Sequence, residues 1–107
     1  MDTLSVIKKL PESFPGKRDM KGTIYTLLCR TDNIAMYKLM YECGTVKYEV
    51  IKIKLYPRMD WSSGKRSIIK GEFTEAYPPS EAFGLNSIAW SFSDQLKATM
   101  KYQSLNM

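Results

Sequence analysis

The two carboxylates with the most suggestive spacing are Glu72 and Glu75, in the apolar stretch that ends at Tyr77 and reads as a strand. Acid–base catalysis needs two groups whose environments drive their pKa values apart, whereas three residues along a strand send side chains to opposite faces. That spacing argues against a catalytic dyad. Histidine is absent from the sequence, which removes the commonest general base and the commonest metal ligand together. Neither Cys29 nor Cys43 has metal-ligand spacing, and nothing around Tyr48 or Cys43 asks for nucleophilic or redox chemistry. The chain is read as non-enzymatic, without cofactor or metal.

Binding chemistry is better represented. The segment from Pro57 to Arg66 places Arg58, Met59, Trp61, Lys65 and Arg66 on an expected hairpin tip, and Trp, Arg and Met are enriched where proteins grip partners. An aromatic beside cations also suits stacking on an unpaired base with phosphate contacts alongside. The plain alternative folds Trp61 back over the sheet edge and leaves the charges in water. A second candidate is a basic sheet face carrying Lys38, Lys47, Lys52, Lys54 and Lys70, but Glu42, Glu49 and Glu72 lie among those lysines. Alternating signs on an exposed face more often mean cross-strand solvation. The glycines are isolated, so no phosphate-cradling loop supports the second candidate.

The elements that would position these residues centre on Thr45 to Tyr56, where apolar residues alternate as Val46, Tyr48, Val50 and then restart one residue out of step as Ile51, Ile53, Leu55. A long strand with a bulge near Val50-Ile51 keeps both halves facing one core; the alternative is a strand buried on both faces locally. Thr23 to Cys29 and Ile34 to Glu42 form a hairpin across Thr31-Asp32-Asn33. This turn sets Cys29 opposite Met36 and leaves Cys43 too distant for a disulfide. Cys43-Gly44 then turns into the bulged strand with Tyr41, Leu39 and Tyr37 opposite Val46, Tyr48 and Val50. Beyond the bulge, Ile51, Ile53 and Leu55 meet Phe73, Gly71 and Ile69. Ser80 to Gly84 reads as one helical turn and Ser87 to Trp90 as a short strand. Ser91 or Ser93 caps a terminal helix with Phe92, Leu96 and Met100 on the sheet and Lys97 and Lys101 in water. The expected fold is α+β, a four- or five-stranded antiparallel meander with a central bulged strand, packed by a C-terminal helix. The expected organisation is a single domain over 1–107: an irregular arm at 1–21, antiparallel strands at 22–77, a turn and short strand at 78–90, and the helix at 91–104.

Composition is consistent with that size. A chain of 107 residues supports one core, and no apolar run approaches the roughly 18 residues that span a bilayer. The first ten residues lack the apolar stretch and cleavage site of a secretory signal. Two thiols, each expected to be buried, and seven methionines suit a reducing cytoplasm. The balance of 16 basic to 11 acidic residues gives a net charge of +5, a mild attraction to anions rather than the footprint of a nucleic-acid binder.

Tyr48-Glu49-Val50 leading into Lys52-Ile53, then Gly71-Glu72-Phe73, the turn Tyr77-Pro78-Pro79-Ser80 with Ala82-Phe83-Gly84, and Ala89-Trp90 before a terminal helix resemble a family of small bacteriophage and mobile-element proteins. The likeness spans Tyr37 to Met100, with Glu75 in the place of a glutamate ahead of the Pro-Ser and one proline more than the usual pattern. Such a family has no agreed activity. The resemblance implies a cytoplasmic protein that occupies a host protein or nucleoprotein, such as a CRISPR or other defence effector. Alternatives are a direct binder of RNA or single-stranded DNA on the lysine face, and a structural or oligomeric virion component.

Overall fold

Thr31 opens the first hairpin. Its hydroxyl accepts hydrogen bonds from the Asn33 and Ile34 amides at 3.2 and 3.1 Å, and its own amide donates to the Ile34 carbonyl at 2.8 Å. Asp32-Asn33 thus becomes a two-residue turn. A computed structural model describes residues 6–60, 64, 67–79 and 88–106; for residues 6, 60 and 67–70 it describes the backbone alone. The elements are β1 (Val6–Lys8), β2 (Ser13–Pro15), a 3-10 turn (Arg18–Met20), β3 (Ile24–Arg30), β4 (Ile34–Met40), β5 (Val46–Lys52), β6 (Lys54–Asp60), β7 (Ser67–Ala76), β8 (Ala89–Phe92) and α1 (Gln95–Leu105).

The strands form two sheets. The larger is antiparallel and five-stranded, in the order β2-β3-β4-β5-β8, and the smaller is β1-β7-β6, with β1 parallel and β6 antiparallel to β7. The chain divides into two compact units, Met1–Leu10 with Lys54–Tyr77 and Pro11–Ile53 with Pro78–Met107. The five-stranded sheet and its C-terminal helix are the α+β arrangement the sequence predicts.

The stretch expected to be an irregular arm contains β1 and β2 as well as the 3-10 turn. Pro15 sits in β2, an edge strand, where a missing amide costs no ladder bond. The single long strand expected from Thr45 to Tyr56 is two strands in different sheets: β5 ends at Lys52, and β6 begins at Lys54. Pairing between β4 and β5 runs unbroken from Met40↔Val46 to Ile34↔Lys52, so no bulge separates Val50 from Ile51. Both residues are fully buried because the sheet is covered on both faces, and neighbours in a strand point to opposite faces. The parity slip in the sequence marks the approach to a change of sheet.

Register also differs by one residue between β4 and β5, where Tyr37 faces Glu49 and Met36 faces Val50. The loop is shorter than expected. Tyr41 donates its amide to the Thr45 carbonyl, and the Gly44 amide returns to the Tyr41 carbonyl, each at 2.8 Å. Gly44 at φ +94° supplies the left-handed residue that a three-residue hairpin loop requires. In the smaller sheet Leu55 faces Glu75 and Pro57 faces Phe73, instead of Ile69 for Leu55. The ladder shifts between Pro57 and Met59, beside a proline that cannot donate.

One face of the larger sheet packs Ile34, Met36 and Val50 against Ala98 of α1, with Cys29, Tyr48, Trp90, Phe92, Tyr102 and Leu105 around them. On the other, Phe14 stacks on Tyr25 with ring centroids 4.5 Å apart and meets Tyr37 edge-on at 5.5 Å. The buried Tyr37 donates its phenol to the Pro11 carbonyl at 2.8 Å. The helix presents a different stripe from the expected one. Leu96 and Met100 are 66% and 60% exposed, while Ala98, Tyr102 and Leu105 face the sheet. Because β8 runs through Phe92, the helix starts later, and Asp94 rather than Ser91 or Ser93 is its cap: the carboxylate accepts the Leu96 amide at 3.0 Å. Asp94→Ala is expected to cost about 1 kcal/mol, read as a lowered urea midpoint with an unchanged m-value.

Candidate functional site

The β6–β7 hairpin carries the first set of candidate residues. Tyr56 lies opposite Thr74, and Glu72 shares a face of β7 with Thr74, so the bond from Arg58 to Glu72 places Arg58 on the face of Tyr56. Arg58 Nη1 donates to Glu72 Oε1 at 3.0 Å, with the Arg58 side chain 61% exposed. An exposed pair of this kind holds the guanidinium by about 1 kcal/mol or less, so Arg58 can change partners at little cost. Tyr56 and Leu55 are about half exposed. Met59 is partly buried; Trp61, Lys65 and Arg66 lie outside the described residues. Leu55 and Tyr56 escaped the sequence reading because alternation had assigned Leu55 to the core. The pointer was present in the Pro57 that follows them, since proline in a strand favours an edge. β6 occupies an edge of the smaller sheet.

Glu75, by contrast, is buried and accepts the Leu10 amide at 2.9 Å, a clasp on the segment after β1. Glu72 is held by Arg58, so each carboxylate has its own partner. Among the described residues no group of three or more His, Cys, Asp and Glu could hold a metal ion. None of their helices is long and apolar enough to cross a membrane.

The lysines of the second candidate do not share a face. Lys38 and Lys52 pair with Tyr48 and Ile34 on the helix-bearing side of the larger sheet, whereas Lys47 pairs with Leu39 on the opposite side. Lys54 and Lys70 belong to the smaller sheet, and the Lys70 side chain is outside the described residues. Splitting the expected strand between two sheets is what separates them. Lys47 reaches over the Tyr41 ring, its Nζ 5.9 Å from the centroid.

A grouping that the sequence reading missed lies around Trp90. Lys101 Nζ stands 4.3 Å from the indole centroid and Lys52 Nζ 5.9 Å from it. Val50↔Trp90 pairing puts the indole on the helix-bearing side, and Lys101, expected in open water, is turned toward it. The signal was available in the spacing of Trp90 and the helix, but the wrong helix phase concealed it.

The remaining titratable groups are structural in setting. Burial first, then the Glu49 carboxylate and Tyr41, push the Tyr25 phenol up to about 12; burial and Glu49 raise Tyr41 as well. Both cysteines are free. Cys29 is partly buried opposite Met36, as the turn length implies. Cys43 is exposed, contrary to the expected burial, because it sits in the three-residue loop. Hydrogen bonds with Thr45 lower its thiol pKa.

No family model, curated protein or solved structure matches the chain.

Proposed function

We propose that the chain is a non-catalytic binding protein that engages a protein partner through the β6–β7 hairpin. The observation that carries this reading is the half-exposed Tyr56 on the same face as the loosely held Arg58 of an edge strand, with the half-exposed Leu55 on the strand's other face. A large exposed aromatic side chain next to an arginine is the composition of interface hot spots. An open strand edge adds backbone groups for pairing. Arg58 and Met59 belong to this surface; Trp61, Lys65 and Arg66 extend it along the sequence. The resemblance to bacteriophage and mobile-element proteins supports a host protein or nucleoprotein as partner, with a defence effector the specific case.

Affinity capture from host-cell lysate, with and without nuclease, tests the reading. One protein should be recovered irrespective of digestion. Tyr56→Ala and Arg58→Ala are each expected to reduce its recovery at least tenfold, with the thermal midpoint nearly unchanged because both side chains are exposed. Loss of every partner after digestion would instead favour direct nucleic-acid binding, and equal recovery by both variants would remove the hairpin from the interface.

A further inference from the structure

Trp90, Lys52 and Lys101 come from three elements and meet at one place. Lys52 follows Val50 by two residues in β5, so both side chains leave the same face, and Val50 pairs with Trp90 in β8. Lys101 comes from α1. With their ammoniums 5.9 and 4.3 Å from one indole centroid, both cations are gathered at a single ring. Lys97 lies one helical turn before Lys101 on the same flank and is exposed. Neither cation–ring contact of Lys52 or Lys101 is shared with a carboxylate of the described residues.

We propose that this cluster is a site for single-stranded nucleic acid, with a base on Trp90 and the neighbouring phosphates on Lys52, Lys101 and Lys97. Two like charges drawn to one ring repel each other, and the ring's quadrupole compensates each only weakly. A phosphodiester between them removes the repulsion. The ring is partly exposed, and the side chains beside it on that face, Tyr48 and Phe92, are aromatic as well. A base can take the place over the indole that the Lys101 ammonium now holds, and the flexible four-carbon stem lets that ammonium swing to the adjoining phosphate. The aromatic component is what favours nucleic acid over an acidic peptide, which would need the cations alone. A single strand is favoured over a duplex because only unpaired bases expose their faces.

The test is fluorescence anisotropy of the full chain with a labelled oligothymidylate across a salt series. Binding is expected with a log–log salt slope of roughly −2, three phosphate contacts at about 0.7 each. Lys52→Gln and Lys101→Gln should each weaken it severalfold and make the slope shallower by about 0.7. Trp90→Phe should weaken it about tenfold at constant slope. In a Trp61→Phe background the oligonucleotide should quench the remaining tryptophan. Lys17→Gln, which removes one exposed charge elsewhere, should leave the affinity within twofold, and circular dichroism confirms folding of each variant. The proposal is overturned by absence of binding at low salt, by equal weakening in Lys17→Gln and Lys101→Gln, or by polyglutamate or inorganic phosphate competing as well as the oligonucleotide.

Discussion

Val50→Ala and Ile51→Ala are each expected to destabilise the protein by about 2–4 kcal/mol, and together to remove a large share of the roughly 5–15 kcal/mol that holds a domain folded. Neither side chain retains accessible surface, so each truncation removes buried methyl groups and leaves a cavity. The informative quantity is the sum. Val50 belongs to the cluster with Ile34, Met36 and Ala98 under the helix, while Ile51 pairs with Ala35 and Ala89 on the opposite face. With no packing partner in common, the two losses should add within about 0.5 kcal/mol. A bulge that turned both residues into one core would make them share a cavity and couple them by more than that. Urea unfolding of the two single variants and the double variant measures the difference directly, and a coupling above about 1 kcal/mol would contradict burial on two faces.

The same pair of residues shows what the sequence could and could not convey. Local chemistry was legible: Asp32-Asn33 fixed a hairpin with Cys29 opposite Met36, and the terminal helix was expected, although the apolar stripe read for it, Leu96 and Met100, faces outward. Alternation was legible too, but its meaning depended on how many faces of the sheet are buried. A one-sided sheet explains Val50-Ile51 by a bulge, and a two-sided sheet explains it with none. Only tertiary packing decides between them, and the choice shifted the register of β5 and hid the departure into a second sheet at Ile53. β1 was beyond reach for another reason. It pairs in parallel with β7 across more than sixty residues, and such pairing has no connecting turn to leave a mark in the sequence.

Site residues followed the fate of their strands. Arg58 was identified by residue type but lies within β6, which runs past Pro57 to Asp60, and not on the hairpin tip where it was expected. The five-lysine face depended on the continuous strand and was dispersed when that strand divided. Trp90 with Lys101 depended on helix phase, which Asp94 sets two residues from where a Phe92-Leu96-Met100 stripe would begin. Leu96 and Met100 then face outward, and Lys101 acquires a ring to cover.

Stability is expected to fall as pH rises from 10 to about 12, in part through Tyr25. Its phenol stays protonated in the folded chain to about 12, against an ordinary value of 10.0, chiefly because burial disfavours the phenolate and secondarily because Glu49 repels it. Below pH 10 both states keep the proton, so the contribution is complete there. Between 10 and 12 the unfolded chain releases a proton that the folded chain retains, which draws the equilibrium toward unfolding. The loss amounts to about 2 kcal/mol at the upper end. Tyr41 and Tyr102 are raised in the same sense by burial and add to the decline. Tyr25→Phe should lower stability at neutral pH by about 1 kcal/mol and visibly flatten the alkaline decline, leaving the part due to the remaining phenols. Glu49→Gln should bring the Tyr25 transition down only part of the way, since burial, the larger cause, remains. Absorbance titration near 295 nm, as the difference between the parent and Tyr25→Phe, isolates that phenol, and urea midpoints from pH 9 to 12 follow the stability. A decline in Tyr25→Phe as steep as in the parent would show that this phenol is not the group responsible.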